Sequence, residues 1–351
     1  VADQLASKNH LIFEPDGAML RLPVNLLVAD DASVAQYLAR IDQPDGDPFD
    51  FTGVKWLGSN LDISTAVSAR AFADARHAPQ SGASQQYLGM GRNQPVFAST
   101  KVAAIRGGQQ NGDGSCQWPL NQWNSPISDR ELLEARSLVG TQNSELITGA
   151  AFTDTAILSK GDISDYRILH FATHGLVTAP SPSCPAKPAL VTSFGDDSSD
   201  GLLAFDEIFD LKLDADIIIL SACDTAGKAS ITATRAAGVS SGGGTALDGL
   251  VRSFIGAGGR SVLASHWPAP DEFRATERLI NGLFNDGRGQ SIAEALRQSQ
   301  LDLMNDPVTS HPFYWAGFAL IGDGSRTFLP SSTSLATSDA PSARITQPAL
   351  K

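Results

Sequence analysis

Short apolar segments with almost no polar interruption constrain the fold of this chain more than any other feature. The segment ADIIILSAC (215–223) is apolar along most of its length, as expected for a strand that is buried on both faces of a parallel sheet. Residues 166–173 and 260–267 predict further strands of this kind. Helical segments lie between the strands, such as residues 246–259, whose apolar residues recur at helical spacing. The alternation predicts an α/β fold with a mostly parallel sheet and helices on both faces.

Other segments carry local signals. Ser128 and Glu131 match a capping box at the start of a helix. A stretch rich in Pro, Ser, Gly and Asp predicts a loop over residues 178–200, and a stretch of small residues predicts another over 226–245. The end of the chain, residues 328–351, is rich in Ser, Thr and Pro and predicts a disordered tail.

Composition excludes several classes of function. With 351 residues and 42% hydrophobic content, the chain can bury a large core. Its formal net charge is −12 and no run of Lys or Arg stands out, so we expect no nucleic-acid partner, since such binding neutralises phosphates. No apolar run is long enough to span a bilayer, so we expect no membrane segment. The glycine-rich segments SGGGTALDG and GAGGRS lack the pattern of a nucleotide-binding loop.

The three cysteines, Cys116, Cys184 and Cys223, form no CxxC pair, so the sequence predicts no zinc site, and we expect neither metal nor cofactor. A sparse and odd set of cysteines argues against a disulfide scaffold and fits a reducing compartment. We therefore expect a cytoplasmic protein. Because the chain begins with Val1 and not with Met, we also expect it to be a piece of a longer polypeptide.

Two histidines, His170 and His174, lie four residues apart in ILHFATHGLV (168–177). In a helix they would lie side by side and could bind zinc, but along a strand four residues span about 13 Å, which is too far for one metal ion. His170 lies within the strand, so we expect it to be packed or hydrogen-bonded. His174 lies where the strand ends, and the carboxyl ends of parallel strands are where reacting groups collect.

Cys223 lies at the end of its own apolar strand, as His174 does. A lone cysteine is most often an inert buried residue. Two parallel strands that each end in a reactive side chain nevertheless bring His174 and Cys223 to the same edge of the sheet, where an imidazole can activate a thiol as a nucleophile. The N–H groups of Gly175 and Cys223 are candidates for an oxyanion hole.

The segments HFATHG (170–175) and LSACDTA (220–226) resemble the two signature segments of the CHAT domain, a bacterial relative of caspases and separase. The resemblance implies a caspase-like three-layer α/β/α sandwich, with a degenerate N-terminal half over residues 1–125 and a catalytic half over residues 126–327. Further similar segments follow in the family's order across the chain: LIFEPDGAMLRLP, YLGMG, LVRSFIGAGGRSVLASHW, SIAEALRQSQLDLM and HPFYWAGFALIG.

The resemblance also implies a cysteine endopeptidase in which His174 is the general base and Cys223 the nucleophile of a His–Cys dyad. The substrate is then a protein or peptide, cleaved through an acyl-enzyme. Family members are commonly fused to, or switched by, helical-repeat or other sensor domains, often in bacterial defence or signalling. A regulatory partner of this kind is therefore implied as well.

The residues that would recognise the substrate are less well defined. Relatives that cut after Arg or Lys often carry an Asp two residues before the cysteine, but this chain has Ser221, which is too short and neutral to pair with a guanidinium. Asp271 lies where separase-like enzymes place a specificity acid, although the residues after it favour a helix N-cap. His266 and Trp267 are candidates for the wall of the substrate cleft, or they have no role there.

Two alternatives to a peptidase stay open. The first is a non-catalytic CHAT-like scaffold that binds a protein partner, although a scaffold has no need to keep both His174 and Cys223. The second is another acyl-transfer enzyme, such as a thioesterase, for which the sequence shows no carrier or coenzyme A site. Reaction of Cys223 with an electrophile would separate the scaffold from the enzymes.

Overall fold

The strands of one large sheet contain most of the apolar segments that the sequence identifies. The structure is a computed structural model that describes residues 22–96, 120–176, 188–195, 198–221 and 249–331, together with residues 5, 7–15 and 19. Within these ranges the strands are β1 (His10–Phe13), β2 (Asp62–Thr65), β3 (Gln85–Asn93), β4 (Ser144–Gly149), β5 (Tyr166–Ala172), β6 (Gly175–Leu176), β7 (Ala189–Val191), β8 (Leu202–Ala204), β9 (Ile217–Ser221), β10 (Ser261–Ser265) and β11 (Phe318–Gly322).

Helices alternate with these strands along the chain. In the described ranges they are α1 (Asp31–Ile41), α2 (Leu57–Asn60), α3 (Ala69–His77), α4 (Asn121–Asn124), α5 (Arg130–Val139), α6 (Asp154–Leu158), α7 (Phe205–Asp210), α8 (Leu250–Gly256), α9 (Ala275–Asp286), α10 (Ile292–Met304) and α11 (Pro312–Trp315). Short 3₁₀ turns occur at Val24–Leu26, Thr141–Asn143, Ile163–Asp165 and Glu272–Arg274. No helix in the part of the chain that the structure describes is both long and apolar enough to cross a membrane.

Eight of the described strands form one sheet in the order β1-β2-β11-β10-β9-β5-β3-β4. Neighbouring strands in this sheet run parallel, except for β10 and β11, which are antiparallel. The predicted α/β fold with a mostly parallel sheet is therefore confirmed. Strands β3, β4, β5, β9 and β10 run in one direction and end at a common edge, whereas β1, β2 and β11 run in the opposite direction. The edge where the five strands end positions the site described below.

The central strand β9 shows why the fold has three layers. All five of its residues are buried. Ile218 and Leu220 pack in one core cluster with helices α7 and α8, whereas Ile217 and Ile219 pack in a second cluster with helices α9 and α10. Successive side chains of a strand point to opposite faces, so an uninterrupted apolar strand requires a cover on each side.

A second, smaller sheet lies where the sequence predicts a loop. Strands β6, β7 and β8 form it, and both of its pairings are antiparallel. The loop expected over residues 178–200 is wrong for residues 189–191, which form the buried strand β7. Ala189 and Val191 pack in the same core cluster as Trp123, whereas Leu190 packs in a cluster of the large sheet. Three apolar strand residues thus suffice within a sequence otherwise rich in loop formers.

Both expected halves, residues 1–125 and 126–327, contribute strands to the large sheet, and the division between them stays a prediction. Residues before position 125 supply β1 and β2 to one edge of the large sheet and β3 to the opposite side of β5. Phe328 and Leu329, at the start of the expected tail, are buried in the same core cluster as α9 and α10. Residues 332–351 lie outside the described part of the chain.

The packing of β9 predicts a large effect of truncation on stability. Leu220 is fully buried, so Leu220→Ala should lower the free energy of unfolding by about 3 kcal/mol, because apolar contacts are lost and a cavity remains. Urea unfolding followed by circular dichroism measures this difference. The control is Leu133→Ala in α5, where the side chain is 51% exposed, and it should change stability by less than about 0.5 kcal/mol. Equal losses in the two variants would contradict the assignment of β9 to the core.

Candidate active site

A cleft of about 410 Å³ lies at the edge where β5 and β9 end. The two strands are parallel neighbours, and Ala172 near the end of one is paired with Ser221 at the end of the other. His174 and Ser221 both line this cleft, with parts of the segments 125–131 and 269–277 forming its walls. The position that the sequence assigns to His174, at the carboxyl end of a buried strand, is thus the position the structure shows.

The imidazole of His174 has a defined orientation. Its Nε2 atom lies 2.6 Å from the main-chain oxygen of Ser125. A carbonyl oxygen only accepts hydrogen bonds, so Nε2 must carry the proton and donate it to Ser125. In the neutral ring, Nδ1 is then the unprotonated nitrogen. An imidazole held in this way can accept a proton at Nδ1, which is what a general base does.

The main chain around His174 is held by the small sheet. The N–H of Val191 donates to the carbonyl of His174 at 2.9 Å, and the Thr173 hydroxyl donates to the carbonyl of Val191 at 2.6 Å. Gly175 is paired with Leu190 in the same antiparallel ladder. Because the hydrogen bond from Val191 to His174 flanks this pair, Gly175 and Leu190 form a non-hydrogen-bonded pair, and the N–H of Gly175 points away from β7.

His170 is fully buried beneath the site. Its Nε2 lies 3.0 Å from a carboxylate oxygen of Glu131, and its Nδ1 lies 3.0 Å from the hydroxyl of Tyr87. Burial raises the pKa of Tyr87 well above its ordinary value, so the phenol keeps its proton and can donate it. Both nitrogens of a neutral imidazole are thereby satisfied, and His170 is packed and hydrogen-bonded, which confirms the expectation for this residue.

The bond to His170 changes the interpretation of Glu131. The sequence pattern predicts that Glu131 belongs to a capping box with Ser128. In the structure the hydroxyl of Ser128 accepts from the N–H of Arg130, but the Glu131 carboxylate reaches the sheet and not the start of its own helix. The predicted partner of Glu131 is therefore wrong. A buried imidazole without a hydrogen-bond partner is costly, whereas water can satisfy the N–H groups of an exposed helix end.

Two of the four proposed substrate-binding residues are brought to the cleft. Ser221 is buried at the end of β9 and lines it, and Asp271 lines the opposite wall. Asp271 does occupy the N-cap position of the turn Glu272–Arg274, yet its side chain forms no capping hydrogen bond. Arg274, three residues further on within the cleft wall, is paired with Glu277.

The other two, His266 and Trp267, are placed elsewhere by the described residues. His266 lines a separate cavity of about 30 Å³, together with Asn25 and Gln300. The indole N–H of Trp267 donates to the carbonyl of Phe313 at 3.0 Å, and the two rings are stacked. Neither side chain belongs to the described lining of the cleft at His174, although residues 269–277, which follow them, form one of its walls.

Cys223 and the loop expected at 226–245 lie within residues 222–248, which are outside the described part of the chain. Cys116 and Cys184 also lie outside the described ranges. The pairing of His174 with Cys223 therefore stays a prediction. Within the described ranges, no group of three His, Cys, Asp or Glu side chains is placed to hold a metal ion.

The sequence gives little sign of two important groups. The carbonyl of Ser125 orients His174, but every residue has a carbonyl, and no side-chain pattern marks this one. Glu131 carries a signal, an acid in the first turn of a helix, although that signal points to the wrong partner. A polar residue such as His170 in the middle of an apolar strand is the clue that a buried partner is needed.

The fold and site define a caspase-like α/β protein, in which a mostly parallel sheet presents a histidine to a cleft at its carboxyl edge. The family model for the CHAT domain matches residues 1–323, and the chain belongs to this family. The resemblance that the signature segments carry is thus confirmed.

Curated relatives and solved structures extend this result. The chain is 27% identical over 277 residues to human Tetratricopeptide repeat protein 28, covering 69% of this chain and 10% of the relative. The mouse protein of the same name is 26% identical over 242 residues, covering 59% and 9%. The chain thus spans about a tenth of the length of the curated relatives it matches.

Among solved structures, the complex of the pro- and mature domains of Porphyromonas gingivalis RgpB aligns with a TM-score of 0.50 and 9% identity, covering 93% of this chain and 68% of that one. The Saccharomyces cerevisiae separase–securin complex aligns with a TM-score of 0.42 and 12% identity, covering 75% and 14%. At such identities the similarity to RgpB shows a shared fold and nothing more specific.

His266 predicts a pH dependence of stability. Burial lowers the pKa of its imidazole from 6.5 to about 4. The unfolded chain therefore binds a proton near pH 6.5 that the folded protein binds only near pH 4, so the free energy of unfolding falls as the pH is lowered through this window. Between pH 7.5 and pH 5 the contribution of this group is about 2 kcal/mol. In urea unfolding, the wild type should lose that much more stability than His266→Gln over this range. Parallel losses in the two proteins would contradict the prediction.

Proposed function

We propose that this protein is a cysteine endopeptidase in which His174 and Cys223 form the catalytic dyad. The observation that carries the proposal is the hydrogen bond from Nε2 of His174 to the carbonyl of Ser125, within a cleft at the carboxyl edge of the sheet. It leaves Nδ1 unprotonated and oriented to act as a general base. Membership of a family with a caspase-like fold supports the same reaction class.

The connectivity of the chain supports Cys223 as the nucleophile. Ser221 lines the cleft, and Cys223 follows it by two residues. Two residues of extended chain reach at most about 7 Å, so the Cα of Cys223 lies within that distance of the Cα of Ser221. His174 likewise follows Ala172, the register partner of Ser221, by two residues. His174 and Cys223 thus hold equivalent sequence positions after a register pair of adjacent strands, which supports their pairing.

In the proposed reaction, Nδ1 of His174 takes the proton from the thiol of Cys223, and the thiolate sulfur attacks the scissile carbonyl carbon. The oxyanion that forms accepts hydrogen bonds from the N–H groups of Gly175 and Cys223. The N–H of Gly175 suits this role because it points away from β7. His174 then returns the proton to the leaving amine, and an acyl-enzyme remains. Water, deprotonated by His174, attacks the thioester, releases the acid and restores the thiol.

The proposed setting follows from the chemistry and the relatives. A catalytic thiol must stay reduced, which favours a cytoplasmic location. The chain spans about a tenth of relatives whose name refers to tetratricopeptide repeats, so we propose that a helical-repeat region or protein regulates it. Bacterial defence or signalling is the context we propose for such a regulated peptidase.

Substitution of the dyad tests the proposal directly. Cys223→Ala should abolish peptide cleavage, and His174→Ala should lower its rate by about 10²- to 10⁴-fold, the usual contribution of a general base. Mass-spectrometric profiling of a peptide library incubated with each protein measures the cleavages. The matched controls are Cys184→Ala and His77→Ala, which should cleave as the wild type does. Cleavage that persists in Cys223→Ala would refute the mechanism.

If the wild type cleaves nothing, a reaction of Cys223 with iodoacetamide separates an enzyme that lacks its activator from a scaffold. An activated thiol reacts rapidly and loses that reactivity in His174→Ala. A thiol whose rate is the same in both proteins would favour the alternative, a non-catalytic CHAT-like scaffold that binds proteins.

We also propose that Asp271 recognises a basic side chain next to the scissile bond. Asp271 lines the cleft, and its side chain forms no capping bond at the start of the turn, which supports this role. Asp271→Asn should lower kcat/KM for peptides cleaved after Arg or Lys by about 10- to 100-fold, the range for a charged hydrogen bond, and leave peptides with a neutral residue there unchanged. Asp74→Asn, at an exposed position of α3, is the control. An equal effect on both classes of peptide would contradict this role.

A further inference from the structure

Trp123 is buried completely, yet it stands only two residues before Ser125, the residue whose carbonyl holds His174. Its helix, α4, is a single turn, and Ser125 is the residue that caps its C-terminus. A helix this short has little stability of its own, so its position depends on contacts with its surroundings. The position of the Ser125 carbonyl is therefore decided by whatever holds Trp123.

Three kinds of contact hold Trp123. Its indole N–H donates to the carbonyl of Gly201 at 3.2 Å, and its ring stacks on Phe194 with centroids 5.6 Å apart. Its own carbonyl accepts a hydrogen bond from the Asn93 side chain at 2.9 Å. The ring packs in a core cluster with apolar residues of all three strands of the small sheet: Leu176, Ala189, Val191 and Leu202.

The indole of Trp123 is closely packed against Gly201 and Phe194. Gly201 has a φ of +75°, and a Cβ at this position would lie 2.9 Å from Nε1 of Trp123 and 3.0 Å from the ring of Phe194. The backbone conformation and the close approach both require glycine there. A ring enclosed so closely cannot shift without disturbing the small sheet.

The small sheet also holds His174, the donor of the hydrogen bond to the Ser125 carbonyl. Val191 belongs to the same core cluster as Trp123, and its N–H donates to the carbonyl of His174. One three-stranded unit thus sets the position of the imidazole and, through Trp123, the position of the carbonyl that orients it. Segments far apart in the sequence, around residues 123, 174, 191 and 201, meet in this unit.

We propose that Trp123 is a positioning residue for His174: by anchoring α4 in the small sheet it places the Ser125 carbonyl, and so fixes the proton on Nε2 of the imidazole. This inference rests on the proposed function only for its catalytic consequence. The effect on the imidazole itself is a property of the folded protein and can be observed without a substrate.

Nuclear magnetic resonance of ¹⁵N-histidine-labelled protein tests the proposal. The ring Nε2–H of His174 should give a resonance protected from exchange with water, which is assigned by its loss in His174→Gln. Trp123→Phe removes the indole N–H and loosens the packing of the ring against Gly201 and Phe194. The His174 resonance should therefore move upfield or broaden through faster exchange. Absence of a protected ring N–H in the wild type would overturn the proposal.

Trp315→Phe is the matched control. Trp315 is equally buried, and its indole N–H donates to the carbonyl of Ser310 at 2.9 Å, but it packs in the core cluster around α9 and α10. It should lower stability to a similar degree and leave the His174 resonance unchanged. A shift of equal size in both variants would show a general loss of structure and would overturn the specific role.

Asn93→Ala provides a second route should Trp123→Phe fail to fold. It removes the side-chain donor to the Trp123 carbonyl, together with a longer bond to the Gln94 carbonyl, and keeps the indole ring. It should shift the His174 resonance in the same direction. A resonance that keeps its position and exchange rate in a folded Asn93→Ala, or in a folded Trp123→Phe, overturns the proposal.

Alkylation of Cys223 by iodoacetamide at pH 7 separates this inference from the proposed function. Trp123→Phe should react about fivefold more slowly than Trp315→Phe, the factor that one ordinary hydrogen bond contributes. If the resonance of His174 shifts but the alkylation rate does not change, the positioning role stands and the His–Cys dyad is refuted.

Discussion

The burial of β9 and β5 on both faces is the constraint on which the rest of the structure depends. Their main-chain groups are used in the ladder with neighbouring strands, and their side chains are covered by helices on each side. Polar chemistry is therefore confined to the places where these strands end. His170 is the exception, and it is tolerated only because Glu131 and Tyr87 satisfy both of its ring nitrogens.

The same bonds that satisfy His170 help to build the cleft. Glu131 lies in the first turn of α5 and also lines the cleft, so its bond to His170 ties that wall to the sheet. On the other side of the same segment, Trp123 ties α4 to the small sheet. The residues between them, including Ser125, are held at both ends by buried polar and apolar contacts. An imidazole in the proposed role of general base needs such a support, because proton transfer depends on geometry finer than a flexible loop provides.

The large sheet could be predicted from the sequence because its central strands are largely apolar. The place of His174 at the edge of the sheet could be predicted because this residue follows such a strand. The small sheet could not: β7 has only three residues, and the composition around it is that of a loop. His170 could be assigned to the interior, but its partner Glu131 comes from a distant helix and matches a capping pattern there. The role of Ser125 lies in its main chain, which carries no sequence signal at all.

The order of the strands also bears on how the chain is made. Strand β2 lies near the N-terminus, but its neighbours in the sheet are β1 and β11, and Thr65 of β2 is paired with Ile321 of β11. During synthesis, the ribosome releases β1 and β2 together, but it releases β2 long before its other partner, β11. One side of β2 therefore stays unpaired until residue 321 has been made, and contacts so distant in sequence form slowly. The topology therefore requires that the open edge of β2 be kept from pairing with other chains until β11 has been made.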